Sequence, residues 1–171
     1  MRPSCLALLP LVMACSHGLR LDPSIPPAPG ETKTLYAVRY TDVAVGGGAP
    51  AEAEKCLYAH YTGWLVDGKK FDSSRDTTPD GKPRTPLAFR QGARQVISGW
   101  DAGFEGMRVG GRRRLFLPYQ AAYGEKGRPP VIPARALLVF DVELMDVTDA
   151  PPVPAGVPAT QVRCKAWAER R

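Results

Sequence analysis

The 171-residue chain is poor in the residues that most enzymes rely on: it holds two histidines and four cysteines. His17 lies in a proline-rich stretch and His60 in a β-prone run, and neither has a partner at metal-ligand spacing. There is no Cys-x-x-Cys pair, no Gly-x-Ser-x-Gly elbow and no His-Glu-x-x-His segment. Asp141 and Glu143 are close in sequence, but they fall on the polar face of an alternating strand, a poor place for paired-carboxylate catalysis. Gly46-Gly47-Gly48 is followed by neither a helix nor a Gly-Lys-Ser/Thr, so it is no phosphate loop. The net charge of +6 is spread along the chain. Arg112, Arg113 and Arg114 read as the solvated start of a strand, and with no recognition helix or interleaved stacking aromatics they make no nucleic-acid site. An enzyme with this composition needs no nucleophile, metal or cofactor.

Proline and glycine, by contrast, are plentiful, with 18 and 17 copies. The prolines gather near the two ends and in a few loops. Arg2 precedes a short apolar run, Cys5 to Ala14, which is far too short to span a bilayer as a helix but has the make-up of an export signal. Val12-Met13-Ala14-Cys15 resembles a bacterial lipobox, which implies lipidation of Cys15 and a membrane anchor. The alternative is a leader cut by the ordinary signal peptidase. We therefore expect residues 1–14 to be a signal peptide and residues 15–33 a semi-stiff tether, with Pro23, Pro26, Pro27 and Pro29. Residues 34–149 form one domain, and residues 150–171 a flexible tail. The expected location is the periplasm or cell envelope. An oxidising compartment permits a Cys56–Cys164 disulfide, although the spacing does not demand one.

Within the domain, Leu35 to Tyr40 and Cys56 to Leu65 are β-prone, and Asp67-Gly68 between apolar runs marks a turn. Residues 75–86, with Pro79, Pro83 and Pro86, read as a surface loop. Trp100, Gly103, Phe104 and Met107 share one face of a short helix over 97–107, with Ser98 as its expected N-cap. In Leu137 to Met145, Leu138, Phe140, Val142 and Leu144 face one way. The fold class is α+β: an antiparallel sheet with one short helix packed across a single face.

The ordered segments Tyr58-Ala59-His60-Tyr61-Thr62-Gly63, Asp67 to Asp76, Gln95 to Gly103, Met107 to Gly110, Ala122-Tyr123-Gly124, Val131-Ile132-Pro133 and Leu138 to Leu144 resemble the FKBP family of peptidyl-prolyl cis/trans isomerases. They cover nearly all of residues 34–147. The resemblance implies a five- to six-stranded antiparallel sheet wrapped around the helix, with an aromatic cavity between them. Trp100 would form the cavity floor. Tyr61, Phe71, Phe89, Val96, Ile97, Tyr123, Ile132 and Phe140 would line its walls, with Leu87 where an aromatic is common and Asp72 as the acid at the rim. The Ile97 N–H and the Tyr123 hydroxyl would donate to a ligand. Departures from the pattern are a longer 75–91 segment, Gln95 for a frequent acid, a small Ala121, and Arg128 at a loop tip.

The implied activity suits the composition. An X–Pro bond crosses a barrier of about 18–20 kcal/mol. Its twisted transition state loses amide conjugation and carries less charge separation, so a dry apolar pocket favours it over the planar amide. The implied partners are proline-containing segments of exported proteins and macrolides such as rapamycin or tacrolimus, acting on a monomer. A second reading is a non-catalytic, chaperone-like lipoprotein that docks a partner through the same pocket.

Overall fold

The computed structural model describes residues 20–35 and 37–170. The export signal and Cys15 lie outside the described residues. Seven strands, β1 (Thr32–Leu35), β2 (Val38–Ala44), β3 (Lys55–Leu65), β4 (Lys70–Ser73), β5 (Leu87–Arg90), β6 (Arg112–Leu117) and β7 (Leu138–Asp149), form one antiparallel sheet. Among the described residues a single α-helix, α1 (Ser98–Gly103), packs on it. The order is β1-β2-β6-β7-β3-β4, with β5 also beside β3. The strand count exceeds the expected five to six for a local reason. β3 is 11 residues long, so β5 pairs with its first half and β4 with its second along the same edge. Among the described residues no helix is long and apolar enough to cross a membrane.

The core lies between α1 and the inner sheet face, where Leu57, Ala59, Leu115, Leu117, Leu138, Phe140, Val142 and Leu144 meet Trp100 and Phe104. A six-residue helix has little stability of its own and takes its place from packing. Two of its residues are glycines, each costing about 1 kcal/mol against alanine in a helix interior. The reason is proximity: a Cβ on Gly99 would lie 2.8 Å from the Ala121 carbonyl oxygen, and one on Gly103 would lie 2.6 Å from Leu115. The helix is shorter than the expected 97–107. Ile97, not Ser98, is the N-cap, and no side chain caps it. Asp101 instead accepts from the Gly92 N–H at 3.0 Å. Beyond Gly103 the chain turns through Gly106 at φ +74°, ending the helix. Arg113 then donates to the free carbonyls of Gly103 and Glu105 at 2.8 and 2.9 Å, satisfying the helix end.

Of the arginine run, Arg112 is exposed as expected, but the other two are not solvated. Arg113 and Arg114 are buried, at 5% and 2% exposure. Arg113 pairs with Asp42 at 2.7 Å and stacks on Tyr40, while Arg114 forks onto both Asp141 carboxylate oxygens at 2.5 and 2.6 Å. Alternation sends Arg113 to the inner face, under the end of α1, and Arg114 to the outer face, under the segment around Pro26, and a buried guanidinium requires partners.

Two flanking segments cover the outer face of the sheet. The part of the expected tether that is described packs on the outer face, where Ile25 is buried against Phe116, Val139 and Trp64. Arg114 also donates to the Pro26 carbonyl. The expected flexible tail is likewise fixed. Cys164 is bonded to Cys56, Trp167 lies 5.7 Å from the Tyr58 ring, and Arg170 stacks on Tyr58 and pairs with Asp146. Cys56 and Tyr58 point away from the core, and their burial depends on this cover. The disulfide closes 108 residues of sequence. Cys164→Ser is therefore expected to lower the stability of the oxidised protein by about 2–5 kcal/mol, read as a fall in denaturant midpoint.

Candidate active site

A cavity of about 420 Å3 opens between the N-terminal end of α1 and the inner face of the sheet. Strand alternation aims its side chains. From β3 comes Tyr61, from β4 Phe71, from β7 Phe140, and α1 supplies Trp100. The rings meet edge to face: Tyr61–Trp100 at 5.0 Å, Trp100–Phe140 at 5.4 Å and Phe71–Phe140 at 5.4 Å between centroids. Such pairs add about 0.5–1.5 kcal/mol beyond their burial and hold each ring at a fixed tilt. Gly63 pairs with Phe140 in register, and a Cβ there would lie 2.6 Å from Phe71 and 2.7 Å from Phe140. Its lack of a side chain makes room for both walls.

Of the predicted residues, the cavity brings together Tyr61, Phe71, Asp72, Leu87, Val96, Ile97, Trp100, Tyr123 and Phe140. Phe89 and Ile132 are not among its lining residues: both are buried in the adjoining core, at 1% and 3% exposure, with Phe89 against Trp100 at 5.9 Å and Phe104 at 5.3 Å. Gln95 and Arg128, noted in the sequence only as departures, do line the cavity. The Gln95 amide carbonyl accepts from the Arg90 N–H, and its NH2 donates to the Val162 carbonyl at 2.8 Å, so the tail fixes its position.

Polarity is confined to the rim and the helix end. Asp72 accepts from the Tyr61 hydroxyl at 2.5 Å, from Arg84 at 2.8 Å and from the Ser73 N–H at 2.9 Å. Arg84 comes from the 75–86 loop, and a surface-loop arginine gave no sequence signal for this role. Burial pushes the Asp72 carboxyl up, but the bonds from Tyr61 and Arg84 and the guanidinium charge outweigh it, so the group ionises below the usual carboxylate range. The Tyr61 hydroxyl is pushed up, first by burial and then by Asp72. It stays protonated as a donor. The Ile97 N–H precedes the first helical turn and has no backbone acceptor among the described residues. The Trp100 indole N–H is buried without a partner. The site has shape, an aromatic lining and a few donors, and among its lining residues stands no serine, cysteine or histidine to act as nucleophile.

Residues 47–145 match the model of the family described as FKBP-type peptidyl-prolyl cis-trans isomerase. The FK506-binding protein of Neisseria meningitidis is 47% identical over 106 residues, covering 62% of this chain and 92% of that protein. FK506-binding protein 4 of Dictyostelium discoideum is 47% identical over 63% of this chain, which spans 28% of its length. The crystal structure of AtFKBP13 superposes with a TM-score of 0.60 at 35% identity, covering 69% of this chain and 99% of that one. The chain belongs to the FKBP-type peptidyl-prolyl cis-trans isomerase family.

Two outcomes check this site. Asp72 has a lower pKa folded than unfolded, so its contribution to stability is full above about pH 4 and is lost as pH falls through the folded value. Arg84→Ala is expected to move that pKa upward, as read by carboxyl-carbon NMR titration. Gly63→Ala is expected to displace Phe71 and Phe140, lowering ligand affinity by about tenfold or more while the protein stays folded.

Proposed function

We propose that this chain isomerises X–Pro bonds in polypeptides, with the proline ring in the cavity over Trp100. The observation that carries the reading is the aromatic enclosure itself: four rings fixed by edge-to-face contacts around an apolar volume. The flat pyrrolidine side seats on Trp100, with Tyr61, Phe71 and Phe140 as walls. A planar amide keeps its charge separation and prefers water, while a twisted amide gives up that polarity and is favoured in this cavity. The Ile97 N–H and the Tyr123 hydroxyl stand at the opening to donate to the substrate carbonyl and fix its orientation. The Tyr61–Asp72–Arg84 cluster holds one wall rigid. No proton transfer is needed, which fits a site whose tyrosine stays protonated. Macrolides of the FK506 type are the small-molecule ligands this cavity supports, with Leu87 in place of a ring and Arg128 at the rim tuning their affinity.

The isomerase unit in this proposal is residues 34–149, acting as a monomer on exported proteins in the cell envelope. The Cys56–Cys164 disulfide supports an oxidising compartment. The apolar leader and the Val12-Met13-Ala14-Cys15 pattern support export and lipidation of Cys15.

The test is acceleration of X–Pro isomerisation in a short peptide by the purified protein, beside Phe71→Ala. The expected result is catalysis that falls by about ten- to a hundredfold in the variant, since each factor of ten is 1.36 kcal/mol of barrier. A folded protein that binds the peptide without accelerating it would place the chain among non-catalytic docking modules.

A further inference from the structure

A second depression, of about 530 Å3, adjoins the cavity and shares Tyr61 and Leu87 with it. One bank is the 75–86 loop, through Pro83 and Pro86, and the other is the C-terminal segment, through Trp167. Its floor includes Ala88 of β5. We propose that this groove binds the polypeptide flanking the target proline as an added strand on β5, with Trp167 receiving a large apolar side chain of the substrate. The proposal rests on the isomerase reading.

Three features carry it. First, β5 is an edge, pairing with β3 alone. The Gln91 N–H donates to the Lys55 carbonyl at 2.9 Å, and the register pairs Phe89 with Leu57 and Ala88 with Tyr58. In an antiparallel ladder the groups facing the partner alternate, so Gln91, Phe89 and Leu87 turn theirs toward β3, and Arg90 and Ala88 turn theirs outward. The Arg90 N–H confirms the direction by donating to the Gln95 side chain at 3.0 Å. The outward N–H and C=O of Ala88 have no backbone partner among the described residues and border the groove. That is a template for strand addition.

Second, the groove is continuous with the site. Leu87 stands at the junction, 39% exposed, an apolar side chain left uncovered by the fold. A chain leaving the cavity passes it before reaching Ala88. Third, the Trp167 bank is held in place. The disulfide, the Tyr58 ring and the Arg170 stack fix a segment that would otherwise be a mobile end, yet Trp167 itself remains only half-buried. A rigid, partly open aromatic beside an unpaired strand edge binds at low entropic cost.

The experiment compares kcat/KM for a minimal X–Pro peptide with that for a peptide extended on both sides of its proline, with phenylalanine among the flanking residues. The full oxidised protein and its Trp167→Ala variant are used. The expected ratio favours the extended peptide by about three- to tenfold, the range one aromatic contact gives, and collapses to about one in the variant. A ratio near one in the unmodified protein, or a ratio that survives Trp167→Ala, overturns the groove. If neither peptide is accelerated, the isomerase reading fails by itself. Titration of the extended peptide then decides the groove separately: NMR shifts at the Ala88 amide and the Trp167 indole support it, and unmoved signals overturn it.

Discussion

The distance between α1 and the sheet governs the rest of this molecule. Gly99 and Gly103 let a six-residue helix approach until Leu115 and Leu117 touch its backbone. At that separation Trp100 reaches the space between Tyr61 and Phe140 and closes it from below. A helix standing farther off would leave the rings without edge-to-face partners and the cavity without a floor. Arg113 secures the same element from its other end, where a buried guanidinium meets the last carbonyls and is itself neutralised by Asp42. The helix contributes little stability, and its position is nonetheless defined at both ends.

The sheet serves two faces at once, and β3 shows how. Leu57, Ala59, Tyr61 and Gly63 face inward and build core and cavity, while Cys56 and Tyr58 face outward and anchor the C-terminal cover. The N-terminal cover does the same for Phe116 and Val139. Under the N-terminal cover the outward Arg114 is shielded, and it is neutralised by the more exposed Asp141. The 75–86 loop adds its own charge, Arg84, to the rim carboxylate.

Much of this was legible in the sequence. The alternation of Leu138 to Leu144 gave β7 its buried face, and the i, i+3, i+4 spacing of Trp100, Gly103 and Phe104 marked the helix. The ordered motifs placed most of the cavity lining. Long-range pairing was not legible. Nothing local to Arg113 and Arg114 tells a central strand from an edge, and nothing in the proline-rich ends tells a tether from a cover. The Cys56–Cys164 bond joins two segments whose nearness is set by the sheet alone. Phe89 and Ile132 match the family motif whether they line a cavity or stand behind it, and only three-dimensional depth separates the two. Arg84 lay in a loop where charge is ordinary.

The covalent ring closed by Cys56 and Cys164 contains every residue that lines the cavity, from Tyr61 to Phe140. A backbone cut anywhere inside it, including in the exposed 75–86 loop, yields two fragments that remain one molecule. For those fragments the local concentration of one for the other is set by the disulfide and not by dilution. The cavity can thus reassemble after a nick that would scatter the pieces of an unbridged chain, a form of durability suited to surroundings rich in proteases.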